Sequence, residues 1–394
     1  MSILKKIKYL FKILSNTKFE FKFPQESKIL IYDGTRTDKI ILFLKNYKLK
    51  ILYIRWEVLN IPCFFLALTK GKDFMINYID LFIKYTKPKL IITFCDNDFR
   101  FLNLSKRHLG IKTLFLQNGW RSNHLDIFEE FILNNKNISN YHVDYQLVFG
   151  QAIEHEYKKY LSGNTFNFGS FLNNYLKKKY SSHKNILAYI SQYETSFEKQ
   201  KFKFKKKIVN FDNFFRKCDF LIINYLQYYA KKNNKNFYII PRSNKNNYLF
   251  RKREKEYFEN LSNEKIEFLD FDDCLSSYHA VDYSDVVVSI DSTLGYESLS
   301  RGNKTVFFSI RGSICGIKDF NTFGWPLKYS NDGLFWTNNP NKKTFLKILD
   351  YAFNNSEETW KNDIKMFHVS KLLKRKNNDL LTKIINKELG DIKI

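Results

Sequence analysis

Cysteine is scarce in this sequence. The five present, Cys63, Cys95, Cys218, Cys274 and Cys315, are odd in number, widely spaced and never in a CxxC pair. That argues against a disulfide framework or a zinc site and suits a reducing compartment. Histidine is thin as well, seven residues without metal-ligand spacing. No apolar run is long enough to span a membrane. The N-terminus, MSILKKIKYLFKILSNTKFEFKF, lacks the continuous apolar stretch and the small-residue cleavage site of a secretory signal. Low-complexity tracts are missing, which excludes a disordered chain. Acidic residues are outnumbered, 40 against 65 Lys and Arg, for a net charge of +25. Such a balance favours an anionic partner: nucleic acid, a phosphorylated substrate or an acidic membrane surface. The chain is also crowded with Lys, Asn, Ile, Phe and Tyr and has only 14 Gly and 6 Pro, as AT-rich codon usage would give. Charge is therefore read as a footprint only where it clusters.

What is present is globular material, 44% hydrophobic and 27% charged, over a length that suggests two domains. Strands are expected at 28–34, 49–54, 89–98, 112–119, 145–150 and 165–171, with helices at 75–87 and 99–109. The polar stretch 173–184, NNYLKKKYSSHK, reads as a linker. A second series has strands at 185–193, 236–242, 265–270, 285–291 and 305–310 and helices at 211–232, 248–261, 271–280 and 293–301. The tail, 342–355 and 356–389, reads as helical. This alternation predicts mostly parallel sheets with helices on both faces. Two such α/β domains place a ligand between them, at the carboxyl ends of the strands. Near the N-terminus, Ile3, Leu4, Ile7, Leu10, Phe11 and Leu14 interleave with Lys5, Lys6, Lys8 and Lys12. On a helix this is an apolar face flanked by positive charge, which predicts contact with an anionic membrane surface. A helix docked on the protein itself would show the same pattern.

The segment richest in chemistry is DVVVSIDSTLGYESLSRGNKTVFF (285–308). A buried strand ends at Asp291, and Ser292 and Thr293 are placed to cap the helix that follows. Helix N-termini offer free N–H groups and partial positive charge, so phosphate binds there. Glu297 lies one turn beyond Thr293 on the same face and can accept hydrogen bonds from ribose hydroxyls. Arg242 ends IIPR (239–242), where it could pair with phosphate in a forked geometry or simply be solvated. Gln192 and Tyr193 in SQY (191–193) could contact a base or phosphate, although Tyr193 would serve equally in packing. In the first half, QNG (117–119) offers the amides of Gln117 and Asn118 and close backbone approach at Gly119. Arg121 and His124 follow. Asn-Gly is also a common turn pair. The basic runs KFKFKKK (201–207) and RKREK (251–255) read as solvated or membrane-facing rather than as nucleic-acid patches.

The run SIDSTLGYESLSRGNKTVFF is similar to the donor-binding segment of GT-B glycosyltransferases. Within that superfamily it most resembles bacterial surface-carbohydrate (O-antigen and capsule) biosynthesis proteins. Sugar-nucleotide 2-epimerases, CDP-glycerol glycerophosphotransferases and Kdo transferases carry related segments. FLQNGWRS (115–122), FGSFLNN (168–174), AYISQY (188–193) and IIPR extend the likeness over roughly 28–340. It implies an α/β, GT-B-like fold: two Rossmann-like domains facing a central cleft. The implied parts are an amphipathic N-terminal helix (1–24), an acceptor domain (25–175), a nucleotide-sugar-binding domain (176–340) and C-terminal helices (341–394) partly crossing back. Gln192, Arg242, Ser289, Asp291, Ser292, Thr293 and Glu297 would bind the donor, and Gln117, Asn118, Gly119 and Arg121 would line the acceptor side. In an inverting reaction a carboxylate takes the acceptor's proton. Asp33 and Asp96, which end strands of the acceptor domain, are the candidates, although turn-forming Asp would look alike. DNDFR (96–100) resembles a DxD metal motif but sits in the wrong domain for one, so no essential metal and no cofactor are expected. The implied partners are a nucleotide sugar, a glycan or lipid-linked acceptor and the membrane surface, without nucleic acid. The implied place is cytoplasmic, peripheral at the inner face of a bacterial inner membrane. Pro241-Arg242 departs from the His-Pro frequent in related enzymes, which speaks against a sialyltransferase-type mechanism. The alternatives are an epimerase or polyol-phosphate transferase of the same fold, a basic nucleic-acid-binding protein, or an inactive transferase-like scaffold.

Overall fold

The computed structural model describes residues 17–390 except 36, 72, 134–140, 179–184, 195–200, 205–206, 211, 263, 273–274, 318–319 and 321. Of the helix expected over 1–24, residues 1–16 lie outside the described residues. Residues beyond them are extended, not helical: Lys18–Glu20 is a strand paired in parallel with Val58–Asn60. The Lys-Phe alternation of KFEFKF has the two-residue period of a strand, which overrides a helical reading there.

The first sheet has six parallel strands: β1 (Ile29–Tyr32), β2 (Leu49–Leu52), β3 (Leu90–Thr93), β4 (Lys112–Leu116), β5 (His142–Val148) and β6 (Ser162–Asn167). Their order is β2-β1-β3-β4-β5-β6. The second has five: β7 (Ile186–Ile190), β8 (Asn236–Ile240), β9 (Val286–Ser289), β10 (Thr305–Phe308) and β11 (Trp336–Thr337), in the order β8-β7-β9-β10-β11. β1, β3, β7 and β9 are buried along their whole length, which is why they read as unbroken apolar runs. Helix Phe74–Thr86 covers one face of the first sheet through Tyr78, Ile79 and Phe82. The last helix, Asp379–Leu389, covers the other: Leu381, Ile384 and Ile385 pack on Ile29, Ile31 and Ile92. In the second domain Ala280 and Val281 of helix Ser276–Tyr283 lie on one face of β7. On the other, the Phe308 and Phe345 rings stack at 3.8 Å.

Several expected elements differ: the helix expected over 271–280 runs Ser276–Tyr283, and the tail 356–389 is broken into Glu357–Met366, Val369–Lys371 and Asp379–Leu389. KIEFLD (265–270) forms no strand; Phe268 makes a single bridge to Ile239. The pairing stops because Asp270 turns away to ion pairs with Lys245 and Arg251. The expected strand 165–171 begins at Ser162, and its end becomes the short helix Phe171–Tyr175. The helix expected over 99–109 is two pieces, Phe101–Asn103 and Leu104–Arg107.

The start of the predicted linker is tied to the second domain. Arg301, fully buried and paired with Asp282, donates to Asn173 Oδ1 and to the Leu176 carbonyl, each at 3.1 Å. Arg375 donates to the Asn173 and Leu176 carbonyls from the returning C-terminal segment.

Candidate functional site

Each sheet reverses its strand order beside its first strand, at β1 and at β7. Ligands of open parallel sheets bind outside the carboxyl ends of the strands at such points. Here both points face one cavity of about 810 Å³ whose walls come from both domains.

Helix Thr293–Ser300 starts at the cavity wall. Its closeness to the sheet depends on Gly295: a Cβ there would lie 2.5 Å from Ser289 Oγ and 2.6 Å from Ser289 Cβ. Ser289 is buried off the cavity and shapes the turn, its Oγ accepting the Ser292 amide at 3.1 Å. Ser292 is the N-cap residue, yet its side chain makes no capping hydrogen bond. The amides of Thr293 and Leu294 donate to no acceptor among the described residues, and both residues line the cavity. Orphan amides at a helix start are what an anion takes up.

Arginines surround this end. Arg311 is buried between carboxylate and amide: Nη1 donates to Asp291 Oδ1 at 2.6 Å and Nη2 to Gln192 Oε1 at 2.7 Å. Its guanidinium lies 4.3 Å from the Phe215 ring centre and 4.9 Å from that of Phe214. Burial disfavours its charge, but Asp291 together with Cys218, Asp219 and Tyr189 holds its pKa up. Arg242 pairs with Glu194 at 3.0 Å and lines the cavity. Gln192, Arg242, Asp291, Ser292, Thr293 and Glu297 therefore meet around one opening. Tyr193 is packing: it is buried against Phe250 and Tyr257.

The first domain reaches this opening by direct contact. The Trp120 amide donates to Thr293 Oγ1 at 2.7 Å, and the Trp120 and Tyr296 rings stack at 3.4 Å. The QNG turn and the helix thus meet at the cavity floor. Asn118, Gly119 and Arg121 line the wall. Gln117 lines the wall too, but its amide is spent on the turn, Nε2 donating to the Gly119 carbonyl and Oε1 accepting from the Phe149 amide, both at 2.9 Å.

The two aspartates part company. Asp33 lines the cavity in a left-handed conformation, φ 69°. It accepts from the Thr35 amide at 3.0 Å and from Arg55 Nε at 2.9 Å. Asp96 is fully buried and off the cavity, holding Arg121 in a close ion pair and accepting from Tyr157 at 2.7 Å. Its place makes it the residue that positions Arg121. Asp98 is paired with Arg100 at 2.7 Å. Among the described residues no group of three His, Cys, Asp or Glu side chains could hold a metal ion.

Glu297 reaches the cavity at the domain junction. It accepts a close hydrogen bond from Ser170 of the first domain and one from Tyr278 at 2.9 Å. Burial pushes its pKa up to about 7 against the pull of these hydroxyls. Ser170, Tyr278, Trp120 and Arg311 were missed in the sequence reading. Trp120 and Ser170 lie inside FLQNGWRS and FGSFLNN, and Arg311 follows the strand TVFFSI much as Arg242 follows FYIIP; Tyr278 left no signal.

A family model described as that of a proposed O-antigen biosynthesis protein matches residues 114–389. No curated protein sequence matches. Among solved structures, the wall teichoic acid polymerase TagF is 12% identical, over 93% of this chain and 91% of that one, with a TM-score of 0.51. TagF has also been solved after soaking with CDPG. A proposed UDP-N-acetylglucosamine 2-epimerase from Listeria monocytogenes is 11% identical, over 93% and 98% of the two chains, with a TM-score of 0.52. At such identities the likeness is one of fold, and the fold is GT-B-like.

Proposed function

The chain belongs to this family of O-antigen biosynthesis proteins, and from that premise we propose that it is a glycosyltransferase. It would move a sugar from a nucleotide-sugar donor to a cell-surface polysaccharide or lipid-linked acceptor. The observation that carries the reading is the helix start at Thr293, with two unclaimed amides opening into a cavity walled by both domains. The donor's phosphates would sit there. Arg242 and Arg311 line the same cavity and add positive charge. Helix end and guanidinium groups together would stabilise the charge that develops on the leaving nucleotide, so we propose a metal-independent reaction. In an inverting reaction the acceptor oxygen bonds to the anomeric carbon as the bond to phosphate breaks. Asp33, on the cavity wall, would take the acceptor's proton. We place the enzyme at the inner face of a bacterial inner membrane, bound peripherally. No helix among the described residues is long and apolar enough to cross one.

RKREK gives no support to a nucleic-acid partner. Its helix pairs Lys252 with Glu256 and Lys255 with Glu259, and Arg251 with Asp270.

The test is a thermal-shift screen of the purified protein with nucleotides and nucleotide sugars, followed by product analysis with the labelled donor that binds. Saturation at about 100 times Kd should stabilise the protein by about 2.7 kcal/mol. Label in a lipid or glycan product supports the proposal. An epimerised nucleotide sugar, or a transferred polyol phosphate, would replace it. Indifference to every nucleotide would remove it.

A further inference from the structure

We propose that the outer face of strand Lys18–Glu20 and of helix Ile61–Leu68 is a docking surface for an anionic lipid bilayer. The inference deepens the reading above and rests on its membrane-bound acceptor.

The strand is amphipathic in the inverted sense. Glu20, on its charged side, faces the protein and is held by Lys50 at 2.7 Å. Phe19 and Phe21 face out, 41% and 76% exposed, while Phe23 stacks on Tyr85 at 4.0 Å. The strand register sets Glu20 opposite Asn60, and Asn60 ties two elements together. Its Nδ2 donates to the Lys22 carbonyl at 2.8 Å, and its Oδ1 caps the helix by accepting the Cys63 amide at 3.2 Å. The end of the exposed strand and the start of the helix therefore meet at one point. The helix buries only Cys63 and Ala67, while Phe65 is 61% and Leu68 54% exposed. Large apolar side chains grouped on a surface mark a binding face.

Charge selects the occupant. Lys18, Lys22 and Lys70 are exposed in the same two segments, and Val58–Lys72 contains no acidic residue. Exposed apolar side chains with lysines close to them in the chain suit a bilayer interface, where rings enter the headgroup boundary and ammonium groups meet anionic lipid. The placement suits the chemistry too. The chain leaves the cavity wall at Arg55 and enters this helix at Ile61. Docking would bring the acceptor side of the cavity to the membrane.

The test is co-sedimentation of the full chain with phosphatidylcholine vesicles, with and without about one third phosphatidylglycerol. Binding should require the anionic lipid and weaken with salt. Phe21→Glu/Phe65→Glu/Leu68→Glu should lower vesicle affinity by about tenfold or more. The melting temperature and nucleotide stabilisation of that variant should not change. Lys22→Glu/Lys70→Glu, which spares the apolar side chains, should weaken binding to the anionic vesicles alone. Undiminished binding by the triple variant would overturn the proposal. So would a wild-type chain that ignores vesicles, or a triple variant that melts lower or changes its mass in light scattering, since residues 1–16 or a second copy would then cover the face. Loss of vesicle binding with nucleotide stabilisation intact touches the docking surface and leaves the site standing, and the reverse result separates them equally well.

Discussion

Replacing Glu297 by Gln tests the domain junction through pH. The carboxyl is 5% exposed, and burial raises its pKa to about 7. In the unfolded chain it would ionise near the ordinary 4.5. A raised folded pKa means that the unfolded state loses its proton first as pH rises. Glu297's contribution is then fully present below about pH 4.5 and is lost by about pH 7. The gap of about 2.5 units corresponds to about 3 kcal/mol. Gln cannot ionise, yet it keeps an acceptor for Ser170 or Tyr278. Alanine would be a poor probe, because it leaves both hydroxyls buried without an acceptor at about 1–3 kcal/mol each. Melting curves of both proteins without ligand, from about pH 4.5 to 9, should show Glu297→Gln gaining on wild type up to about pH 7 and level beyond. For a chain of this length the gain is about 4 °C. A difference constant with pH, or wild type gaining as pH rises, would refute the buried-carboxyl account.

The two aspartates should separate cleanly. Asp33→Asn keeps a side chain that tolerates φ 69°. Stability should therefore change by less than about 1 kcal/mol, while transfer should fall about 100-fold or more. Asp96→Asn should act through the fold instead. It leaves Arg121 short of its buried partner and should cost about 3 kcal/mol in denaturant unfolding. Its nucleotide affinity should hold where the protein remains folded.

The alternation of apolar runs with helices was enough to expect two parallel sheets, since strands such as β7 and β9 are buried on both faces and carry no polar interruption. The helix start at Thr293 was legible for the same reason: a buried strand, a turn of hydroxyl side chains and a helix lie within a few residues of one another. What lies across domains was not. Ser170 is 127 residues from Glu297 and Trp120 is 173 from Thr293. No local spacing joins them, so Glu297 read as open to ribose while two protein hydroxyls already engage it. Asp33 and Asp96 looked alike because each ends a strand. Only packing shows that Arg121 and Tyr157 enclose one of them and the cavity receives the other. KIEFLD read as a strand because its alternation is right, but Asp270 has stronger partners off the sheet.

The central claim is that nucleotide phosphates sit at the start of helix Thr293–Ser300, and Ser292→Asp tests it most directly. Aspartate is as good an N-cap as serine and its charge suits a helix start, so the fold has no reason to suffer. The same charge would face the phosphates. Calorimetric titration of both proteins with the nucleotide that stabilises the wild type is the measurement. The account predicts an unliganded melting temperature equal to or above wild type and an affinity lower by about tenfold or more, at least about 1.4 kcal/mol. Unchanged affinity in the folded variant would contradict it.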